Sequence, residues 1–158
     1  MNHSIFLDTD IFFECIESPK LETVIEHALN IGYEMHTSIS VLGEGFTQMN
    51  DKENASDYIL ALNRYLDDWE IAVHFPNDYV RTLCYLMGQE EIDTRMIREP
   101  TDRTHLAYAM AYNADYFLTS DKNLTMYRVP AKIQEKGFFK PKTMKLEAFS
   151  ETVLNVYR

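Results

Sequence analysis

Four carboxylates in this 158-residue chain are spaced so that an α/β fold could bring them together: Asp8, Glu44, Asp102 and Asp121. Asp8 follows the apolar run Ile5-Phe6-Leu7, and Asp121 follows Tyr116-Phe117-Leu118-Thr119-Ser120. Each run reads as a buried strand that delivers an acid at or just past its carboxyl end. Either aspartate alone is also what a turn or a helix cap uses. Asp102 opens a helical stretch that leads into the second of these strands, where an acid also suits the positive end of the helix dipole. Glu44 stands between Gly43 and Gly45, beside Val41, Leu42 and Phe46. These neighbours suggest burial, and a buried carboxylate is costly unless it is paired or metal-bound.

Four oxygen donors without a His/Cys cluster favour a hard cation, Mg²⁺ or Mn²⁺, over zinc. Carboxylates are poor nucleophiles toward an anionic phosphodiester. Their sensible work is to hold one or two cations that orient and acidify a water and neutralise charge on the transferring phosphoryl group.

The elements that must position these acids follow from periodicity. Residues 4–8, 34–39, 70–75 and 116–119 read as strands. Helical stretches are expected at 10–18, at 20–30 ended by Gly32, from Ser40 through Glu44, at 51–68, around Val80–Met87 closed by Gly88, and from Asp102 to about Asn113. The 51–68 helix carries Tyr58, Leu62, Tyr65, Leu66 and Trp69 on one face. Residues 89–100 read as a short helix or a loop, 138–139 and 143–146 as a final strand, and 148–158 as a short tail. Alternation of strand and helix implies a three-layer α/β fold with a mostly parallel central sheet. Ligands of such folds sit at the carboxyl ends of the strands.

Composition bounds the function. The length suits one domain, and apolar residues make up 46%, enough for one sizeable core. No run approaches a membrane span, and no secretory leader is read at the start. Two isolated cysteines, Cys15 and Cys84, exclude the usual structural zinc sites and suit a reduced, cytoplasmic protein. The net charge of -10 argues against a broad basic surface for duplex DNA. It leaves room for a nucleic-acid enzyme, because bound cations reverse the local field.

Phe6-Leu7-Asp8-Thr9-Asp10-Ile11 resembles the opening motif of PIN domains, an apolar strand followed by Asp-Thr-Asn or Asp-Thr-Asp. Glu44 falls where that family has an acid after its second strand. Thr101 to Ala107 resembles the segment with the third acid, and Ala114 to Leu124 resembles the last strand with its closing Thr-x-Asp. The similarity runs from about residue 4 to 150, so the whole of 1–158 reads as a single PIN-like domain. The resemblance implies that Asp8, Glu44, Asp102 and Asp121 are the catalytic, metal-holding tetrad. It also implies that Thr9 and Thr119 brace the acids, and that the reaction is hydrolysis of RNA to a 5′-phosphate and a 3′-hydroxyl. PIN proteins of this size are often VapC-type toxins, Mg²⁺-dependent endoribonucleases held inactive by a cognate antitoxin and often homodimeric.

Some residues keep two readings. Asp10, where the family often has Asn, either adds a metal contact or caps the first helix. Arg103 and Lys122 either meet the substrate phosphate or are solvated. His105 shares a helical face with Asp102 and could touch substrate, but a packed or solvated histidine is the commoner case. Tyr108, Tyr112 and Tyr116 could stack on bases, but their neighbours suggest packing. Two alternative functions stand beside the nuclease. One is a PIN-like binding or regulatory module with weak or no catalysis. The other is a haloacid-dehalogenase-type phosphatase, which Asp8-Thr9-Asp10 also resembles. That chemistry wants a later Gly-Asp, which the chain lacks, and it leaves Glu44 without a role.

Overall fold

The apolar runs become the strands of one parallel sheet in the computed structural model, which describes residues 2–89, 97 and 99–155. Strand β1 (Ser4–Leu7) leads through α1 (Thr9–Glu17) and α2 (Pro19–Asn30) to β2 (Glu34–Ser38). Helices α3 (Ile39–Asn50) and α4 (Ala55–Asp68) precede β3 (Ala72–His74). Helices α5 (Asp78–Gln89) and α6 (Pro100–Ala111) precede β4 (Tyr116–Leu118). The short helices α7 (Lys122–Met126) and α8 (Ala131–Gln134), β5 (Lys142–Met144) and α9 (Leu146–Thr152) complete the order.

The strand order is β3-β2-β1-β4-β5, and every pairing is parallel. Ile5 pairs with Met35 on one side and Tyr116 on the other, which places β1 at the centre. Alternation along β1 builds the three layers. Ile5 and Leu7 join the core formed with α1 to α4 and α9. Phe6 faces the opposite core, with Val80 and Leu83 of α5, Leu106 and Met110 of α6, Leu124 of α7 and Ile133 of α8. Both faces of β1 are covered, so it reads as a continuous apolar run rather than an alternating one.

The chain builds β1, β2 and β3 outward in one direction, then crosses back to lay β4 on the other flank of β1. The strand order therefore reverses between β1 and β4. The crevice at their carboxyl ends is the place where doubly wound sheets bind ligands. Asp8 and Asp121 lie at this point, one past each strand. Among the described residues no helix is long and apolar enough to cross a membrane.

Local departures from the expected elements have physical causes. Gly32 has φ of 99° and ends α2, as a left-handed residue should. Gly88 lies within α5 instead of closing it, since among the glycines only Gly32 and Gly137 have positive φ. Residues 51–54 form turns ahead of α4. The last strand is confined to Lys142–Met144, and Phe138-Phe139 contributes no strand. The expected tail is instead a helix, α9, because Leu146 and Phe149 lie on one helical face and are both fully buried in the core. The expectation of a short helix or loop over 89–100 falls largely on residues 90–96 and 98, outside the described ones.

Candidate metal centre

Asp8 ends the central strand and N-caps α1. Its N–H donates to the Leu118 carbonyl at 3.1 Å, so the β1–β4 pairing continues one step past the strands. The residue is only 5% exposed, and both carboxylate oxygens are hydrogen-bonded. Oδ1 accepts the Thr9 N–H at 2.8 Å and lies 2.9 Å from Nδ1 of His105, while Oδ2 accepts the Thr119 hydroxyl at 2.7 Å. Three donors on one carboxylate compensate the cost of burying it.

Thr119 ties two acids together. Its Oγ1 donates to Asp8 and accepts the Asp121 N–H at 3.1 Å. Asp121 then N-caps α7, with Oδ1 accepting from the backbone of Asn123 at 2.7 Å and of Leu124 at 3.4 Å. Thr9 supports Asp8 through its backbone, since its buried hydroxyl has no partner among the described residues. Thr119→Val keeps the side-chain shape and leaves Asp8 Oδ2 and the Asp121 N–H short of a partner. We expect it to cost about 1–3 kcal/mol of stability. Loss of a brace of this kind should also lower Mn²⁺ affinity by roughly 10–100-fold. Urea denaturation and a Mn²⁺ titration measure the two effects; a variant unchanged in both would remove Thr119 from the site.

Glu44 comes from α3, and Asp102 and His105 come from the first turns of α6. One ligand atom from each of these three side chains lies within 4.8 Å of the others, the one such group among the described residues. The i, i+3 spacing places Asp102 and His105 on the same helical face. His105 is fully buried; with Nδ1 turned to Asp8, its Nε2 has no hydrogen-bond partner among the described residues. A carboxylate that orients one ring nitrogen while the other is left free is the usual support of a metal-binding histidine.

The electrostatics link the sequence-selected acids. Burial and then the charges of Asp121 and Asp8 push the Asp102 carboxyl up to about 6. Burial works against the His105 cation, but the hydrogen bond and charge of Asp8, with Glu44 and Asp102, outweigh it and raise the imidazole above its ordinary value. Asp10 lies in the first turn of α1 with Oδ2 accepting the Ser120 N–H at 2.8 Å, while its buried Oδ1 has no partner among the described residues. Burial and the neighbouring Asp8 charge push it up to about 8. Arg103 is half-buried, Lys122 is exposed, and neither forms an ion pair among the described residues. The group is thus short of positive charge, and its free His105 nitrogen and raised carboxyl values fit a divalent cation.

Spacing alone allows His105 to be a packed residue, a solvated one or a substrate contact. Its position at the hub, between Asp8 and the Glu44–Asp102 pair, depends on a contact 97 positions away in sequence. The signal available was its i, i+3 spacing from Asp102. Tyr108 is buried in the core against α5, and Tyr112 donates its hydroxyl to the Phe75 carbonyl at 3.0 Å, so both serve packing.

The same architecture occurs in solved VapBC proteins. VapBC2 from Rickettsia felis, bound to a DNA fragment from its promoter, superposes with a TM-score of 0.62 at 15% identity, over 78% of this chain and 92% of that one. VapBC-1 from nontypeable Haemophilus influenzae gives 0.62 at 14% identity, over 91% and 98%. Mycobacterium tuberculosis VapC20, described as a sarcin-ricin loop cleaving toxin, gives 0.53 at 16% identity, over 85% and 96%. No curated protein matches the chain in sequence. The PIN domain model matches residues 5–132, from the central strand through α8's first residues, and so takes in all four acids and His105. With that match over most of its length, and with the fold to go with it, the chain belongs to the PIN domain family.

Proposed function

We propose that the chain is a Mg²⁺- or Mn²⁺-dependent endoribonuclease whose cation is held by Asp8, Glu44, Asp102 and Asp121, with His105 beside them. The observation that carries this reading is the convergence of Glu44, Asp102 and His105 over the braced carboxylate of Asp8 at the strand-order reversal. When bound, the cation supplies neutralisation of charge on the scissile phosphate and acidification of the attacking water. Thr119 holds Asp8 and Asp121 in register. Asp8 fixes the His105 ring, so that Nε2 stays aimed away from the carboxylate that anchors Nδ1. Asp10 secures the Ser120 backbone at the end of β4. Arg103 and Lys122 flank Asp102 and Asp121 in sequence, and in this reading they meet backbone phosphates. Hydrolysis leaves a 5′-phosphate and a 3′-hydroxyl.

The likeness in fold to VapBC proteins and to the toxin VapC20 supports a toxin role with a cognate antitoxin as partner; a cytoplasmic location and a homodimeric working form belong to the same proposal. The test is cleavage of labelled single-stranded RNA with Mn²⁺ or Mg²⁺, by wild type, by Asp8→Asn and with EDTA. Cleavage by wild type alone is the expected result. Cleavage that survives Asp8→Asn would overturn the assigned centre. Absence of cleavage by the metal-loaded, partner-free protein over a broad RNA panel would favour a binding module.

A further inference from the structure

Two cavities flank the acids, and they differ in charge. One, of about 400 Å³, lies between α1 and the start of α9, where Glu14, Glu17 and Glu147 face a single lysine, Lys145. The other is an open groove of about 460 Å³ that begins at Glu44 and is walled by Ser40, Gly43, Thr47 and Gln48 of α3 and by Thr101 of α6. Residues 40, 43, 44, 47 and 48 recur at helical spacing, so they make one continuous face of α3. Glu44 is the one charged residue of that groove. A polyanion that approaches a molecule of net charge -10 is repelled by the first cavity. In the groove, the single carboxylate belongs to the proposed cation site.

The lining of the groove is poorly explained by folding. Gly43 sits mid-helix, where glycine costs about 0.5–1 kcal/mol relative to alanine. It is exposed, and a Cβ built on it would meet nothing within 4 Å, so packing gives no reason for the missing side chain. A ligand that must lie against the helix backbone does give one. Ser40, Gln48 and Thr101 carry polar side chains with no hydrogen-bond partner among the described residues. A volume of this size matches a small-ligand site. Uncharged amide and hydroxyl groups over a flat floor suit a nucleobase, which offers a face to lie on the floor and an edge to hydrogen-bond.

We infer that this groove seats a nucleobase of the substrate RNA next to the scissile phosphate, with the floor at Gly43 and the Gln48 amide reading the base edge. The inference rests on the nuclease reading above, and two measurements separate them. The first is anisotropy of a labelled, mixed-sequence single-stranded RNA with Mn²⁺ in an Asp121→Asn background. That change keeps an N-cap oxygen for α7. Gly43→Leu should weaken binding at least tenfold while the Mn²⁺-induced thermal shift stays as in the background protein. The second is cleavage of a randomised RNA library, in which Gln48→Ala should change the base preference at one position beside the cut. Wild-type cleavage with neither substitution having its effect would overturn the groove and leave the nuclease standing. If wild type cleaves no RNA, the binding measurement still decides the groove: loss of RNA binding in Gly43→Leu supports it, and unchanged or undetectable RNA binding rejects it.

Discussion

Asp8→Ala is expected to abolish RNA cleavage and to cost the fold about 3–5 kcal/mol, the price of leaving a buried partner uncompensated. Asp8→Asn should lower cleavage by about 10²-fold or more while most of the stability is kept. The difference follows from what the carboxylate holds. Alanine leaves the Thr9 N–H, the Thr119 hydroxyl and Nδ1 of His105 without an acceptor in a site only 5% exposed. Asparagine keeps an oxygen for the Thr9 N–H and the His105 ring, and replaces the other oxygen by an amide that must be met by a reoriented Thr119 hydroxyl. The charge is lost in both. Urea denaturation with a cleavage assay on the same preparations separates the two roles. Equal stability of the two variants would mean that the hydrogen bonds at Asp8 contribute little to the fold. Asp8→Asn with wild-type cleavage would mean that the charge of Asp8 is not used in the reaction.

The parts of this fold that were legible were those with a strong local signal. Ile5-Phe6-Leu7 and Phe117-Leu118 are buried on both faces, and a continuous apolar run between turn residues records that directly. The acids that follow them are legible for the same reason, because a strand's end fixes where its next residue must be. The apolar neighbours of Glu44 imply a buried carboxylate. In the structure it is half-buried, since Val41, Leu42 and Gly45 turn inward while 40, 43, 44, 47 and 48 face the groove. His105 was not legible, because its i, i+3 relation to Asp102 gives the shared face of α6 but not what that face meets. The group able to hold a cation therefore includes a nitrogen that an all-oxygen reading does not contain. Imidazole is a more natural ligand for Mn²⁺ and later transition ions than for Mg²⁺, which sharpens the comparison of the two ions in the cleavage assay. Helix α9 was missed because seven residues carry too little periodicity to be told from a tail, and its helix depends on Leu146 and Phe149 reaching a core assembled from distant elements.

The second large effect concerns pH. Asp102 and Asp10 are raised in the folded protein to about 6 and about 8, from an ordinary 3.8 in the unfolded chain. Between these values the folded state holds protons that the unfolded state has released. Stability of the metal-free protein must then fall as pH rises through that window. His105, raised above 6.5, acts in the same direction, since the stability it adds is present below that value and lost as pH climbs through its folded one. Discounted by about half for solvent screening, the Asp10 contribution alone is roughly 3 kcal/mol, or about 6–12 °C in Tm, between pH 4 and pH 9. Asp10→Asn keeps an oxygen for the Ser120 N–H and removes the charge. It should therefore be more stable than wild type at pH 9 and close to it at pH 4, measured by thermal denaturation in EDTA. Divalent cation reverses the trend, because its ligands must be deprotonated and its affinity rises with pH. The Mn²⁺-induced rise in Tm should be larger at pH 8 than at pH 5.5. A metal-free Tm difference between variant and wild type that does not change with pH would show that Asp10 carries no repulsive charge in the fold. A Mn²⁺ shift equal at both pH values would place the ion away from Asp102 and His105. The two slopes have opposite signs and one origin: a site whose carboxylates and imidazole face each other closely enough to retain protons until a cation takes their place.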